Sequence, residues 1–189
     1  MGQALQHAVA AKGGAKTALA VAGTAEVAQY LTFQLGGEMY AVGILNVKEI
    51  IEYGSLTEIP MMPAFIRGVI NLRGAVVPVI DLAGRFGGQR TGTSRRTCIV
   101  IIELASGEEH HDIGVVVDAV SEVLEVSDAD IEPPPAFGAR IRADFIRGMG
   151  KIGGRFVIIL DIQQVLSVDE IAALATVADH RGNEAALAD

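Results

Sequence analysis

Tryptophan is absent from the 189 residues, and the aromatics amount to six Phe and three Tyr. Cysteine occurs once, at Cys98, which excludes an internal disulfide framework and a cysteine-rich zinc site. No apolar run approaches the ~20 residues that a helix needs to span a bilayer. Basic residues are outnumbered, 15 Lys and Arg against 23 Asp and Glu, for a formal net charge of −8. Such an acidic, aromatic-poor chain matches nucleic acid badly, because phosphate attraction dominates that affinity. Charged residues make up only 20% and hydrophobic ones 50%, which excludes disorder of the whole chain. Glycine, by contrast, is plentiful at 22 residues, and implies many tight turns.

Composition divides the chain into three. Met1–Ala28 is Ala- and Gly-rich without strand or helix periodicity and reads as a flexible tail rather than a signal peptide. Gln29–Leu166 is rich in Val and Ile and punctuated by Gly and Pro. Ser167–Asp189 opens with a capping box, Ser167-Val168-Asp169-Glu170, and predicts a short C-terminal helix with a frayed end. In the middle region Leu31, Phe33 and Leu35 alternate with Thr32 and Gln34, the pattern of a half-buried strand. Gly36-Gly37 is a two-residue hairpin turn. Ile59-Pro60-Met61-Met62-Pro63 is a loop, since its prolines donate no backbone hydrogen bonds.

The middle region repeats itself. Phe65–Leu82 aligns with Phe145–Ile162 at an offset of 80, with 7 identities in 18 positions. Ala41–Glu52 aligns with Gly114–Glu125 at an offset of 73, with four identities. Two copies of a five-strand unit follow, with strands near 30–35, 38–42, 47–52, 67–72 and 76–80, then 97–104, 112–118, 121–126, 146–152 and 156–160. Short strands with Gly turns predict an all-β protein of two small barrels, one over about 29–90 and one over about 95–166. Neither barrel buries enough surface alone, so the two pack together, and the groove between them is the expected place for a partner.

Catalytic signals dissolve on inspection. Gly148-Met149-Gly150-Lys151-Ile152-Gly153 matches GxGxxG, but a strand follows it where dinucleotide binding needs a helix N-terminus. Asp81 and Asp161 occupy equivalent repeat positions at strand ends and read as caps of short helical turns. A small enzyme using these two carboxylates is the rival reading, and turnover lost in Asp-to-Asn variants would favour it. His110 and His111 are strand neighbours that point to opposite faces, which suits a solvated hairpin better than a metal. Cys98 sits in an apolar strand and reads as a small core residue. The expectation is a non-enzyme without cofactor or metal.

Shared positions of the copies read as scaffold, such as Arg67 and Arg147, or Gly74 and Gly154. Divergent positions are free to carry a site. The first copy has Asn71-Leu72-Arg73 before its turn glycine where the second has Lys151-Ile152-Gly153, and Pro78 where the second has Ile158. Phe65–Gly74 (FIRGVINLRG), then Val77–Leu82 (VPVIDL), resembles the hallmark segment of CheW, the bacterial chemotaxis coupling protein family. Val47–Ile50 (VKEI) and Gly114–Val123 (GVVVDAVSEV) resemble two further segments of that family, and the similarity covers about 29–168.

The resemblance implies two SH3-like five-stranded barrels and a cytoplasmic adaptor at membrane-associated receptor arrays. Its partners would be the cytoplasmic tip of chemoreceptors (methyl-accepting chemotaxis proteins) and the regulatory domain of the histidine kinase CheA, with no nucleic acid and no direct membrane insertion. The matching contact positions are Val47, Glu49, Ile50, Gly68, Asn71, Leu72, Arg73 and Gly74. Opposite charges on two such segments lead us to expect that Glu49 and Arg73 pair and orient the binding surface. An SH3-like peptide-binding module, or a CheW-type coupler of another pathway such as pilus motility, is the alternative. The lack of Trp argues against a proline-ligand groove.

Overall fold

A computed structural model describes residues 26–134, 141–167 and 169. Both the expected tail and the helix capped by Ser167 lie almost wholly outside the described residues. Of the expected tail only Glu26, Val27 and Ala28 are described, and Val27-Ala28 already belongs to the first strand.

The first half contains β1 (Val27–Leu35), β2 (Glu38–Gly43), β3 (Val47–Glu52), β4 (Ile66–Leu72) and β5 (Ala75–Asp81), then a one-turn helix α1 (Leu82–Arg85). The second half contains β6 (Cys98–Ser106), β7 (Glu109–Val117), β8 (Ala119–Ser127), a two-residue β9 (Ile131–Glu132), β10 (Ile146–Ile152), β11 (Arg155–Leu160) and a one-turn helix α2 (Ile162–Val165). Ten of these strands match the repeat-based expectation to within a few residues.

The sheets do not follow the halves. One has the order β3-β6-β7-β5-β4 and the other β8-β1-β2-β11-β10-β9. Each SH3-like barrel therefore takes its first two strands from one copy and the rest from the other, so both sheets cross the expected boundary at 90–95. The exchange is reciprocal. β5 runs parallel to β7 through Val79↔Gly114, and β11 runs parallel to β2 through Ile159↔Ala41.

Burial explains the exchange. Leu31, Phe33, Leu35, Tyr40 and Val42 of the β1–β2 hairpin join Val100, Ile102, Leu104, Ile113, Val115 and Val117 of β6 and β7 in the largest core, which lies between the sheets. The other faces of the same strands fill the barrels, with Tyr30 and Ala41 in one and Ile99, Ile101 and Val116 in the other. A hairpin apolar on both faces is best satisfied sandwiched between two layers. The half-buried reading of β1 fails for this reason. Thr32 is buried, and its hydroxyl donates to the Glu122 carbonyl at 2.8 Å, which satisfies it under β8. Core fills the space between the two sheets.

Phe33, Tyr40, Phe86 and Phe145 continue across this core as a ladder of rings with centroids 6.1, 5.7 and 6.0 Å apart. The Arg85 side chain lies over Phe65 and Phe145 and donates to the Val165 carbonyl, tying the two halves.

The duplicated hairpins are alike in detail. Both carry a bulge at the same place, between Ile66 and Gly68 and between Ile146 and Gly148. Asp81 N–H donates to the Phe65 carbonyl, and Asp161 N–H to that of Phe145. The Asp81 carboxylate caps α1 through Gly84 N–H at 3.0 Å, and Asp161 caps α2 through Gln164 N–H at 3.3 Å. The two acids follow strands of different sheets, as caps rather than a catalytic pair. Gly153-Gly154 turns β10 directly into β11, so the GxGxxG match meets no helix. Pro78 lies in β5 one residue before its parallel pairing with β7 begins at Val79, where the missing N–H costs no ladder bond.

Candidate functional site

The turn between β4 and β5 is Arg73-Gly74, and both residues have positive φ, 52° and 87°. A hairpin of two residues favours this left-handed pair because its twist matches the strands. Glycine adopts it freely, whereas an L side chain there costs about 1–2 kcal/mol. The second copy has Gly153 at the matching position. Arg73 is thus held in a conformation that its duplicate reaches without strain, and such an outlier points to function.

Its side chain shows what the strain secures. Nη1 and Nη2 donate to Glu49 Oε1 and Oε2, both at 3.0 Å. The expected pair therefore forms, as a parallel fork. Arg73 is 75% exposed and Glu49 22%, so the pair stands at the surface with its carboxylate partly sheltered. Glu49 lies on β3 and Arg73 follows β4, the two end strands of the five-stranded sheet. No backbone ladder joins those strands, and the fork spans the seam between them.

The other six positions divide. Asn71 Oδ1 accepts the Gly74 N–H at 2.8 Å and shapes the turn while its side chain stays exposed. Ile50 is exposed beside Glu49, which leaves an aliphatic group for contact. Leu72 packs partly into the barrel interior, and Val47 packs against the central core. Gly68 has φ 144°, and a Cβ there would stand 2.3 Å from the Thr57 carbonyl oxygen. That contact is required by the bridge in which Thr57 and Val69 exchange two backbone bonds of 3.0 and 2.9 Å. Gly68 and Gly74 thus act through backbone shape. Ile50, Asn71 and Arg73 are exposed, and Glu49 is half-buried under the guanidinium.

Arg67 is drawn inward beneath this surface. Its Nε donates to the buried Asp81 Oδ2 at 2.8 Å, and its other nitrogens reach the Tyr53 hydroxyl and the Thr91 carbonyl. Thr91 N–H also donates to Asp81 Oδ2 at 2.9 Å. The equivalent Arg147 is exposed, so this network belongs to the first copy alone. It ties the loop around Thr91 and the end of β3 to the hairpin that carries Arg73.

The sequence reading missed an apolar groove of about 550 Å³ beside β5, lined by Ile59, Met62, Val76 and Pro78. It opens where β5 and β7 have not yet begun to pair, and Pro78 was its signal. Val76 is 71% exposed there. On its polar rim Lys48 donates to Asp112 Oδ2 at 2.8 Å, and this bond, with the Asp112 charge, raises the lysine above its ordinary pKa. His110 Nδ1 lies 3.1 Å from Glu103 Oε1, and His111 Nε2 lies 3.6 Å from Glu109. Among the described residues no three metal-ligating side chains gather, and no helix is long and apolar enough to cross a membrane.

The chain and its fold are similar to known proteins. The model of the CheW-like domain matches residues 29–170. The chemotaxis protein CheW of Klebsiella aerogenes is 36% identical over 165 residues, covering 87% of this chain and 97% of that protein. That of Rhizobium meliloti is 34% identical over 142 residues, covering 75% and 89%. The crystal structure of the scaffolding protein TtCheW from Thermoanaerobacter tengcongensis superimposes with a TM-score of 0.67 at 35% identity, covering 76% of this chain and 90% of that one. With a family model spanning most of its length and relatives matched almost end to end, the chain belongs to the CheW family.

Proposed function

We propose that this protein is a non-catalytic chemotaxis adaptor that couples the cytoplasmic tips of chemoreceptors to the regulatory domain of the histidine kinase CheA, in arrays beneath the membrane. The observation that carries the reading is the Arg73–Glu49 fork, exposed at a barrel seam and maintained against backbone strain. An exposed Arg on a hairpin, forked onto a carboxylate, has the make-up of an interface anchor. Relatives named chemotaxis protein CheW, and a solved relative described as a scaffolding protein, support it.

The adaptor would act by binding alone. A receptor's helical hairpin would lay its apolar face on the exposed aliphatic groups beside β3 and β5. The kinase would engage a barrel end, and the signal would pass as a shift between its active and inactive populations. Reconstitution of receptor fragment, kinase and this protein tests the proposal. The expected result is co-sedimentation of all three with raised kinase phosphorylation, both lost when Arg73 and Glu49 are charge-reversed singly. Unchanged kinase activity and no co-sedimentation of the wild type would overturn it.

A further inference from the structure

The repeat makes the two barrels comparable position by position. Its offsets put Glu122 where the first copy has Glu49, and Gly153 where it has Arg73. The turn backbones agree, with φ 57° at Gly153 and 52° at Arg73. Only the arginine side chain is missing from the second. In the five-stranded barrel that side chain spans the seam to β3. In the six-stranded barrel no ion pair reaches Glu122 among the described residues, and a Cβ on Gly153 would meet nothing within 4 Å.

A groove of about 500 Å³ opens at that place. Glu122 and Leu124 of β8 line one side, and Ile152, Arg155 and Phe156 of the β10–β11 hairpin the other, with Glu38 at the rim. The lining thus gathers two carboxylates and one guanidinium with the apolar side chains of Leu124, Ile152 and Phe156. Phe156 is 54% exposed, and Val123, which follows Glu122 on β8, 46%. These are the repeat counterparts of Val76 and Ile50, which are exposed as well. The Glu122 backbone is fixed from both sides, its carbonyl accepting from the Thr32 hydroxyl at 2.8 Å and its N–H donating to the same oxygen at 3.2 Å. The carboxylate is left over, held on a rigid strand and available for a fork.

We propose that this groove takes an arginine-bearing segment of a partner protein, whose guanidinium pairs with Glu122 between molecules as Arg73 pairs with Glu49 within the chain. The planar fork of arginine suits a carboxylate fixed in this way, and its aliphatic stem would cover Leu124 and Ile152. Aliphatic neighbours on the segment would cover Phe156. The inference uses residues outside the surface assigned to the adaptor function, and its test needs neither receptor nor kinase, so the two readings fail independently.

The test titrates the ¹⁵N-labelled full chain with a capped hexapeptide copying residues 71–76, which sets an arginine among apolar neighbours. The expected amide shifts map to Glu122, Leu124 and residues 152–156. A peptide with neutral citrulline in place of arginine should bind up to about fivefold more weakly, as should Glu122→Gln toward the arginine peptide, the scale of one exposed ion pair. Gly153→Arg, which supplies the missing side chain within the molecule, should abolish binding. No shifts at millimolar peptide, shifts confined to other surfaces, or equal binding by the citrulline peptide or by Glu122→Gln would each overturn the proposal. Should Gly153→Arg fail to fold, the exposed isosteric Glu122→Gln still decides.

Discussion

Replacing Arg73 with glycine, the residue its duplicate carries, separates what the side chain does for folding from what it does for binding. Removing an L side chain from the left-handed turn relieves about 1–2 kcal/mol. The added freedom of glycine in the unfolded chain costs about 0.5–1 kcal/mol. Losing the fork to Glu49 costs about 0.2–1 kcal/mol, since the arginine is 75% exposed and solvent screens the pair. These terms oppose one another, and the net change falls within about 1 kcal/mol of zero. Binding should respond quite differently. An anchor worth about 2 kcal/mol at an interface lowers affinity about 30-fold. The assays are urea unfolding for stability and co-sedimentation with receptor fragment and kinase for binding. Destabilisation beyond about 2 kcal/mol would show the fork to be a structural clasp of the barrel seam. Wild-type binding by the variant would refute the assignment of this surface. The paired reversal Glu49→Arg with Arg73→Glu adds a second check, because it should bind better than either single reversal if the pair orients the surface.

Asp81 and Asp161 are sequence equivalents in unequal surroundings. Asp81→Ala strips the partner from nearly buried Arg67 and should cost about 3–5 kcal/mol, whereas Asp161→Ala loses a half-exposed cap and should cost about 0.5–2 kcal/mol. Equal losses on chemical denaturation would contradict this. Gly68→Ala drives a methyl group into the Thr57 carbonyl and should fold poorly, while Gly74→Ala meets open space and should lose only about 1–2 kcal/mol of turn energy. Thermal melts of the two variants that coincide would count against the close approach at Thr57. Burial, aided by the charge of Glu38, raises the Tyr40 phenol above its ordinary pKa of 10.0. The folded state then holds that proton more tightly, so its contribution is intact below pH 10 and is lost as pH rises through the folded value. Unfolding measured from pH 9 upward should therefore show a steeper decline for wild type than for Tyr40→Phe, and superimposable curves would disprove it.

Local chemistry made much of this molecule legible. Alternating residues, glycine turns and an internal repeat located ten strands because each signal acts within a few residues of chain. Asp81 and Asp161 read correctly as caps because an acid at the end of a strand finds free N–H groups one turn later. The pairing of Glu49 with Arg73 was legible for another reason, the resemblance of both segments to one family. The groove beside Val76 was missed because its walls come from residues far apart in the chain, with only Pro78 to mark the interruption.

The amino-acid sequence alone determined that the chain is a duplicated β protein with one divergent hairpin. Periodicity and repetition are properties of a string and survive without coordinates. Only the tertiary structure decided which strands share a sheet, that the space between the two sheets is core, and which barrel seam carries a fork. Those outcomes depend on burying both faces of β1 and β2 at once, and no residue reveals that requirement until its distant partners are in place.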